Sequence, residues 1–139
     1  MPYLLLAFLL GLVSGLRTFT APAVLWLMRH PGPWAIGLGI FALFEYFVDL
    51  HPNAPPRTST SGLLVRVVSG AFVGWMVAFA ANGSAIAGAI AGAIAAVIGA
   101  YAGLALRIRL IDAIGRVPAG LLEDVLAIVA AVLIVSRVP

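Results

Sequence analysis

The segment AIAGAIAGAIAAVIGAYAGLAL, residues 85–106, contains no charged side chain. A helix needs about 20 mostly apolar residues to cross the hydrocarbon core of a bilayer, and this segment is long enough to do so. A continuous apolar run favours a helix over a strand of a membrane β-barrel, in which apolar and polar residues alternate. The segment therefore predicts an all-α transmembrane protein.

The composition of the whole chain supports a membrane location. Of its 139 residues, 63% are apolar and only 9% are charged, and the mean hydropathy is +1.16. Soluble domains carry about 25% charged residues. The net charge is +3 and all eight basic residues are arginines. Most of them lie at the ends of apolar segments, where lipid headgroups explain them better than nucleic acid does. We expect a single transmembrane domain over residues 1–139.

The chain offers few residues for metal or redox chemistry. It contains no cysteine, which excludes disulfides, thiol catalysis and cysteine-based metal centres. Its two histidines, His30 and His51, each stand beside a proline in a predicted loop. We therefore expect neither a metal site nor a cofactor.

Further apolar segments predict a helix bundle of four to five spans. Besides 85–106 they cover residues 3–28, 34–50, 62–81 and 118–135, with polar connections at 29–33, 51–61, 82–84 and 107–116. Five crossings would place the N-terminus, the 51–61 loop and the 107–116 connection on one side. Most arginines lie on that side, so the positive-inside rule predicts a cytoplasmic N-terminus and an external C-terminus. A broken or re-entrant first span would change this prediction.

Small residues recur three or four positions apart in three of the predicted spans. Residues at this spacing share one helix face, and small side chains let helices approach closely in lipid. The third and fourth spans form a predicted antiparallel hairpin with Arg66 and Arg107 toward the same membrane face. Two interpretations stay open: helix packing with snorkelling arginines, or a narrow polar crevice with two guanidinium groups at its mouth. The predicted packing glycines are Gly11, Gly15, Gly70, Gly74, Gly88, Gly92, Gly99 and Gly103.

Arg17 lies near the middle of the first predicted span, where an arginine costs about 2.5–3.5 kcal/mol on the insertion scale. Thr18, Thr20 and Pro22 follow it closely. Glycine and proline beside polar residues at membrane depth predict an unwound helix, as at the mid-bilayer sites of transporters.

Several other charges also need partners inside the bundle or at its rim. Arginine and carboxylate can pair bidentately, so these charges form either structural ion pairs or a site for a substrate or ion. A catalytic site is the third alternative. The candidate site residues are Arg17, Thr18, Thr20, Glu45, Asp49, Arg66, Arg107, Glu123 and Asp124.

Two parts of the chain share a loose order of motifs. A Gly-x3-Gly pair, an arginine, a proline-containing turn and a glutamate occur twice, although their spacings differ. Inverted repeats are typical of many transporters, so an internal inverted repeat is a hypothesis here. The two series are Gly11, Gly15, Arg17 and Glu45, then Gly99, Gly103, Arg107 and Glu123.

Several motifs follow one another along the chain: SGLRTFTAP at 14–22, then Glu45 and Asp49 before PNAPPRT at 52–58, and finally LLEDVLA at 121–127. Together with Arg-x3-Gly-x3-Gly at 66–74 and Gly-x3-Gly-x3-Arg at 99–107, this pattern resembles the bacterial membrane proteins grouped as domain of unknown function 4126. The resemblance covers nearly the whole chain. It implies a small multi-pass protein of the bacterial inner membrane and no particular substrate. It also implies that a set of charges belongs to the family pattern: Arg17, Asp49, Arg57, Arg66, Arg107, Glu123 and Asp124.

Three functional hypotheses follow. The leading one is a transporter or channel for a small solute, anionic solutes included, which works as a homodimer or higher homo-oligomer because one short chain hardly encloses a pathway. Arg17 would bind or gate the solute, and the carboxylates would be counter-ions or proton carriers. The second is a structural or lipid-binding scaffold. A polar cavity that reaches Arg17 would favour transport, and a dry, fully paired interior would favour the scaffold.

The third and least favoured hypothesis is an enzyme that hydrolyses a lipid phosphate. Glu45-x3-Asp49 followed by PRTSTSG at 56–62 superficially resembles the acidic and Ser-Arg-rich motifs of undecaprenyl-pyrophosphate phosphatases. The order within the loop departs from that pattern, and no histidine stands where a nucleophile or general acid is needed. We therefore expect that the protein is not an enzyme.

Overall fold

The computed structural model describes residues 2–139 and has six α-helices with no strand in that range. The all-α prediction is therefore confirmed. Four of the helices, α3 to α6, are long and apolar enough to cross a membrane, which agrees with a multi-pass membrane protein of four to five spans. The helices are α1 (Pro2–Leu16), α2 (Thr20–Arg29), α3 (Pro33–Leu50), α4 (Thr60–Ala80), α5 (Ala85–Ile114) and α6 (Arg116–Val135).

The first apolar segment does not cross the bundle; it enters and returns. The hydroxyl of Tyr3 in α1 accepts a hydrogen bond from the main-chain N–H of Ser84, which precedes α5. Gly15, near the other end of α1, lies against Gly99. After a break at residues 17–19, α2 runs back, and Arg29 at its end donates to the carbonyl of Val138. We call residues 2–29 the re-entrant hairpin.

The bundle therefore has two distinct ends. The terminal end carries the start of α1, the 82–84 turn, the end of α2 and the last residues of the chain, since one cleft is lined by Arg29, Ala80 and Val138. The loop end carries the 51–59 loop and Gly115, between α5 and α6.

The prediction that the N-terminus and the 51–61 loop share one side is wrong. The structure places the start of α1 at the opposite end from the loop because the chain reverses direction at residues 17–19. Arg17 is therefore at the tip of a hairpin and not at the middle of a continuous span. The 15 residues of α1 rise about 22 Å, so the tip lies in the half of the bundle nearer the loop end.

The prediction of a polar connection over residues 107–116 is also wrong for most of that stretch. Helix α5 continues through this stretch to Ile114, because residues 107–114 contain neither glycine nor proline. It ends at Gly115, whose φ of 88° is a left-handed conformation that favours glycine. Arg107 is thereby held within a helix and not in a loop.

Helix α5 is the centre of the bundle, and glycines bring α1 and α4 into direct contact with its main chain. A Cβ at Gly92 would overlap the carbonyl of Gly70 in α4, and a Cβ at Gly74 would overlap the carbonyl of Gly88. Helix α1 approaches the same stretch of α5, since the position of a Cβ at Gly11 is already filled by main-chain atoms of Gly92. Dispersion contacts of this kind replace the hydrophobic driving force that helices lack in lipid.

An apolar core fills the half of the bundle toward the terminal end. It is built from buried aliphatic side chains of four helices, α1, α2, α4 and α6, together with Val138, and it contains no charged residue. The fully buried members include Ala7, Leu10, Ala21, Val73, Val77, Ala127 and Ala131.

The re-entrant hairpin predicts a specific membrane topology. Single-cysteine variants Pro2→Cys and Ser136→Cys should react with a membrane-impermeant maleimide from the same face of a vesicle, and Asn53→Cys from the opposite face. The cysteine-free chain gives a clean background. Labelling of Pro2→Cys and Asn53→Cys from one face would instead support the five-crossing arrangement.

Candidate functional site

The tip of the re-entrant hairpin leaves main-chain groups without helical partners, and Glu45 binds two of them. Its carboxylate accepts hydrogen bonds from the N–H groups of Thr18 at 2.7 Å and Phe19 at 3.0 Å. These groups lie at the N-terminus of α2, where the helix dipole favours a negative charge. Glu45 in α3 thus caps α2 from a neighbouring helix.

The free carbonyls at the tip are bound by side chains as well. Arg66 donates from Nε to the carbonyl of Gly15 at 3.2 Å, and Ser69 donates from Oγ to the carbonyl of Thr18 at 2.5 Å. A weaker bond of 3.4 Å joins Nη1 of Arg57 to the carbonyl of Leu16. An unsatisfied main-chain group costs several kcal/mol in lipid, so these contacts permit the break.

Four arginines and four carboxylates meet around this tip, and we call them the ion cluster. Its formal charge is zero, so the whole net charge of +3 lies outside it. All four guanidinium groups are buried, Arg17 completely. The members are Arg17, Arg57, Arg66, Arg107, Glu45, Asp49, Glu123 and Asp124.

Arg17 lies at the centre of the ion cluster with no exposed surface. Its two terminal nitrogens contact Asp49 of α3 and Asp124 of α6. The guanidinium also stands 5.2 Å from the centre of the Tyr46 ring, within the range of a cation–π interaction. Arg17 therefore ties the hairpin tip to two further helices.

Arg57 reaches into the ion cluster from the 51–59 loop. It holds Glu123 with two hydrogen bonds, Nη1 to Oε1 at 2.5 Å and Nη2 to Oε2 at 3.1 Å. Burial opposes its charge, but the hydrogen bond and the negative charges of Glu123 and Asp49 outweigh burial and raise the pKa of Arg57 above its ordinary value. Gly103 makes room for it, since a Cβ there would lie 2.9 Å from Nη1.

Like Glu123, Asp49 near the end of α3 lies within 4 Å of three guanidinium groups. Its Oδ2 contacts Arg17, lies 2.9 Å from Nη1 of Arg107 and lies 3.7 Å from Nη2 of Arg57. Arg107 also donates from Nη2 to the main-chain carbonyl of Asp49 at 2.8 Å. With 18% of its side chain exposed, Asp49 is the most accessible acid of the ion cluster.

Two clefts approach the ion cluster at the loop end, on either side of Pro55 and Pro56. The α5 cleft, of about 170 Å³, lies between the loop and α5 and is lined by Asp49, Arg57 and Arg107. The α3 cleft, of about 210 Å³, lies between α3 and α4 and is lined by Glu45, Asp49 and Arg66, with Phe41 and Phe44 as apolar walls. Asp49 is the charged residue that both clefts share.

The structure brings the predicted charged residues together, but in different surroundings. Arg17, Glu123 and Asp124 line neither cleft, so they lie behind the accessible groups. Thr18 takes part through its main chain, and the Thr20 hydroxyl lies 2.6 Å from the hydroxyl of Tyr46. The predicted packing glycine Gly103 faces Arg57 and the Leu16 side chain and not a helix backbone.

Sequence reasoning left Arg57, Ser69 and Tyr46 out of the candidate site. Ser69 and Tyr46 give no signal of their own, because neither stands out in an apolar helix. Arg57 follows two prolines in a polar loop, where an arginine is normally solvated. The pointers to it were the resemblance to domain of unknown function 4126 and its place in the PRTSTSG motif at 56–62.

The two histidines are not members of the ion cluster. His30 lines a cleft of about 740 Å³ at the terminal end, and Nδ1 of His51 accepts a hydrogen bond from the N–H of Asn53 in the exposed loop. Across residues 2–139 no group of three His, Asp or Glu side chains is placed to hold a metal ion.

Comparison with known proteins gives no match to a family model, to a curated protein or to a solved structure. The function is therefore inferred from the geometry of the site.

Glu123→Gln should destabilise the protein by about 3–5 kcal/mol, the usual cost of leaving a buried charge unpaired. Glu123 neutralises Arg57 and Arg107, and the amide would leave both with less negative charge. Asp112→Asn, which makes the same change on an exposed face of α5, should alter stability by less than about 0.5 kcal/mol. Unfolding in detergent by denaturant measures both. Equal stability of the two variants would contradict a structural role for the ion cluster.

Proposed function

We propose that the protein is a small membrane transporter or channel that admits a small anionic solute from the loop end. The observation that carries the proposal is the pair of clefts that lead from this end to Arg57, Arg66 and Arg107. Charged groups at membrane depth are costly, and where they face a cavity they commonly mark a solute pathway. Because the sequence resembles domain of unknown function 4126, we also propose a location in the bacterial inner membrane.

The size of the clefts supports a small solute. Pockets for drug-sized ligands measure about 300–1,000 Å³, and both clefts are smaller. The guanidinium groups supply positive charge on a rigid planar fork, which suits oxyanions such as carboxylate or phosphate. Arg107 and Arg57 are the residues that a solute in the α5 cleft would meet, whereas Arg17 would act through Asp49.

A scaffold is the second candidate, and several observations favour it. Arg17 lines neither cleft, so the expected cavity that reaches Arg17 is not seen among residues 2–139. The acids and arginines of the ion cluster neutralise one another, and the core between the cluster and the terminal end is apolar. The described residues thus form no continuous polar path through the bundle. Transport requires that this layer opens during the cycle, whereas a scaffold requires no such motion.

Anion efflux from proteoliposomes separates the two candidates. With the protein present, chloride, acetate or phosphate should leave loaded vesicles faster than from protein-free vesicles. Arg107→Gln should reduce that rate at least tenfold, and Arg109→Gln, an exposed neighbour on the same helix, should change it by less than twofold. Efflux equal to that of protein-free vesicles, with a folded protein by gel filtration, would support the scaffold.

The proposed transporter works as a homo-oligomer, and α3 is the surface that fits a second copy. Only Ala35 and Ala42 of this helix are buried. A Cβ added at Gly37 or Gly39 would meet no atom within 4 Å, whereas a Cβ at Gly11 or Gly92 would meet another helix. Small residues with open space on an apolar helix allow a second helix to approach closely.

Crosslinking in membranes tests this arrangement. Ile40→Cys on α3, 61% exposed, should form a disulfide-linked dimer when oxidised. Leu133→Cys on α6, 62% exposed, is the matched control and should stay monomeric. Equal crosslinking at both positions would indicate random collision, and crosslinking of Leu133→Cys alone would move the interface to α6.

A further inference from the structure

Asp49 differs from the other acids of the ion cluster in how it is held. Glu123 is bound bidentately by Arg57, Glu45 caps the N-terminus of α2, and Asp124 is buried beside Arg17. Asp49 offers one oxygen, Oδ2, to three guanidinium groups, as Glu123 does with Oε2. Unlike Glu123, however, Asp49 is not held bidentately, and it is the most exposed of the four acids. It also lies one residue from the end of α3, at the junction of both clefts.

Three guanidinium groups around a single carboxylate oxygen present more N–H donors than that one oxygen can accept. Arginines at such spacing suit a tetrahedral oxyanion, whose several oxygens each accept a charge-assisted hydrogen bond. Without the Asp49 carboxylate, the four arginines and three remaining acids would carry a local charge of +1. An incoming anion would restore neutrality at the same place.

We propose that the Asp49 carboxylate occupies a binding site for a phosphate-type oxyanion, which takes its place when Asp49 swings into a cleft. Arg17, Arg57 and Arg107 then hold the oxyanion. The proposal names the solute class of the transport site and in that sense rests on the proposed function. The phosphate group can belong to a free anion that enters by the α5 cleft. It can also belong to a lipid headgroup that enters by the α3 cleft, whose Phe41 and Phe44 are exposed toward the lipid.

Isothermal titration of the full-length protein in detergent with inorganic phosphate tests the site. Asp49→Asn removes the resident negative charge and keeps the size of the side chain, so it should bind phosphate at least tenfold more tightly than the wild type. Asp112→Asn makes the same charge change on an exposed face and should bind as the wild type does. Equal affinities of the two variants would overturn the proposal.

A second variant shows that the gain arises at this site. Asp49→Asn combined with Arg107→Gln should lose the tighter binding, whereas Asp49→Asn combined with Arg109→Gln should keep it. If Asp49→Asn is unfolded when purified in chloride, purification in phosphate at equal ionic strength should recover a monodisperse protein, since a ligand stabilises the state that binds it. Failure to recover it in phosphate would count against the site.

Two further measurements separate the sources of the phosphate and the two proposals. If Asp49→Asn binds dioctanoyl phosphatidic acid more tightly than inorganic phosphate, the natural ligand is a lipid headgroup. If it binds inorganic phosphate more tightly, the natural ligand is a free anion. If Asp49→Asn binds phosphate more tightly but the protein gives no anion efflux, the binding site is supported and the transport function is contradicted. If the protein gives anion efflux but Asp49→Asn binds phosphate no more tightly than the wild type, transport is supported and the binding site is contradicted.

Discussion

The structure depends on one constraint: a helix that breaks inside an apolar bundle must have its free main-chain groups bound by other parts of the protein. The break at residues 17–19 exposes donors at the start of α2 and acceptors at the end of α1. Glu45 binds the donors, and Arg66 and Ser69 bind the acceptors. These side chains come from α3 and α4, so the hairpin tip can form only when both helices are in place.

Charge neutrality follows from the same constraint. A buried guanidinium brought in to bind a carbonyl is itself costly unless a carboxylate accompanies it. Arg66 lies 3.6 Å from Glu45, and Arg57 has Glu123, so each arginine that serves the hairpin has an acid from another helix. The ion cluster is thus neutral as a whole. The uncompensated arginines lie at the two ends of the bundle, where water and lipid headgroups solvate them.

Local patterns predict the helices and the break, because hydropathy and glycine or proline act over a few residues. Long apolar runs identified α3 to α6, and RTFTAP marked the end of α1. The reversal of α2 was not predictable, since it depends on contacts such as that of Arg29 with Val138 far along the chain. The membership of Arg57 in the ion cluster also depends on distant residues, because Gly103 leaves space for its side chain and Glu123 supplies the negative charge that pairs with it.

The way the helices are joined shows which part of the bundle can move. Helices α1, α4 and α5 are in backbone contact at their glycines, for example Gly70 with Gly92, and such contacts allow little sliding. Helix α3 packs closely against α2 and α6 instead. Its ties to α4 and α5 pass through arginine side chains: Arg66 pairs with Glu45, and Arg107 pairs with the carboxylate of Asp49 and donates to its main-chain carbonyl. An anion that takes the place of the Asp49 carboxylate would remove the ionic part of the tie to α5 and leave the hydrogen bond from Arg107 to the Asp49 carbonyl. Occupation of the site would therefore loosen the loop end of α3 while the glycine-packed core stays fixed.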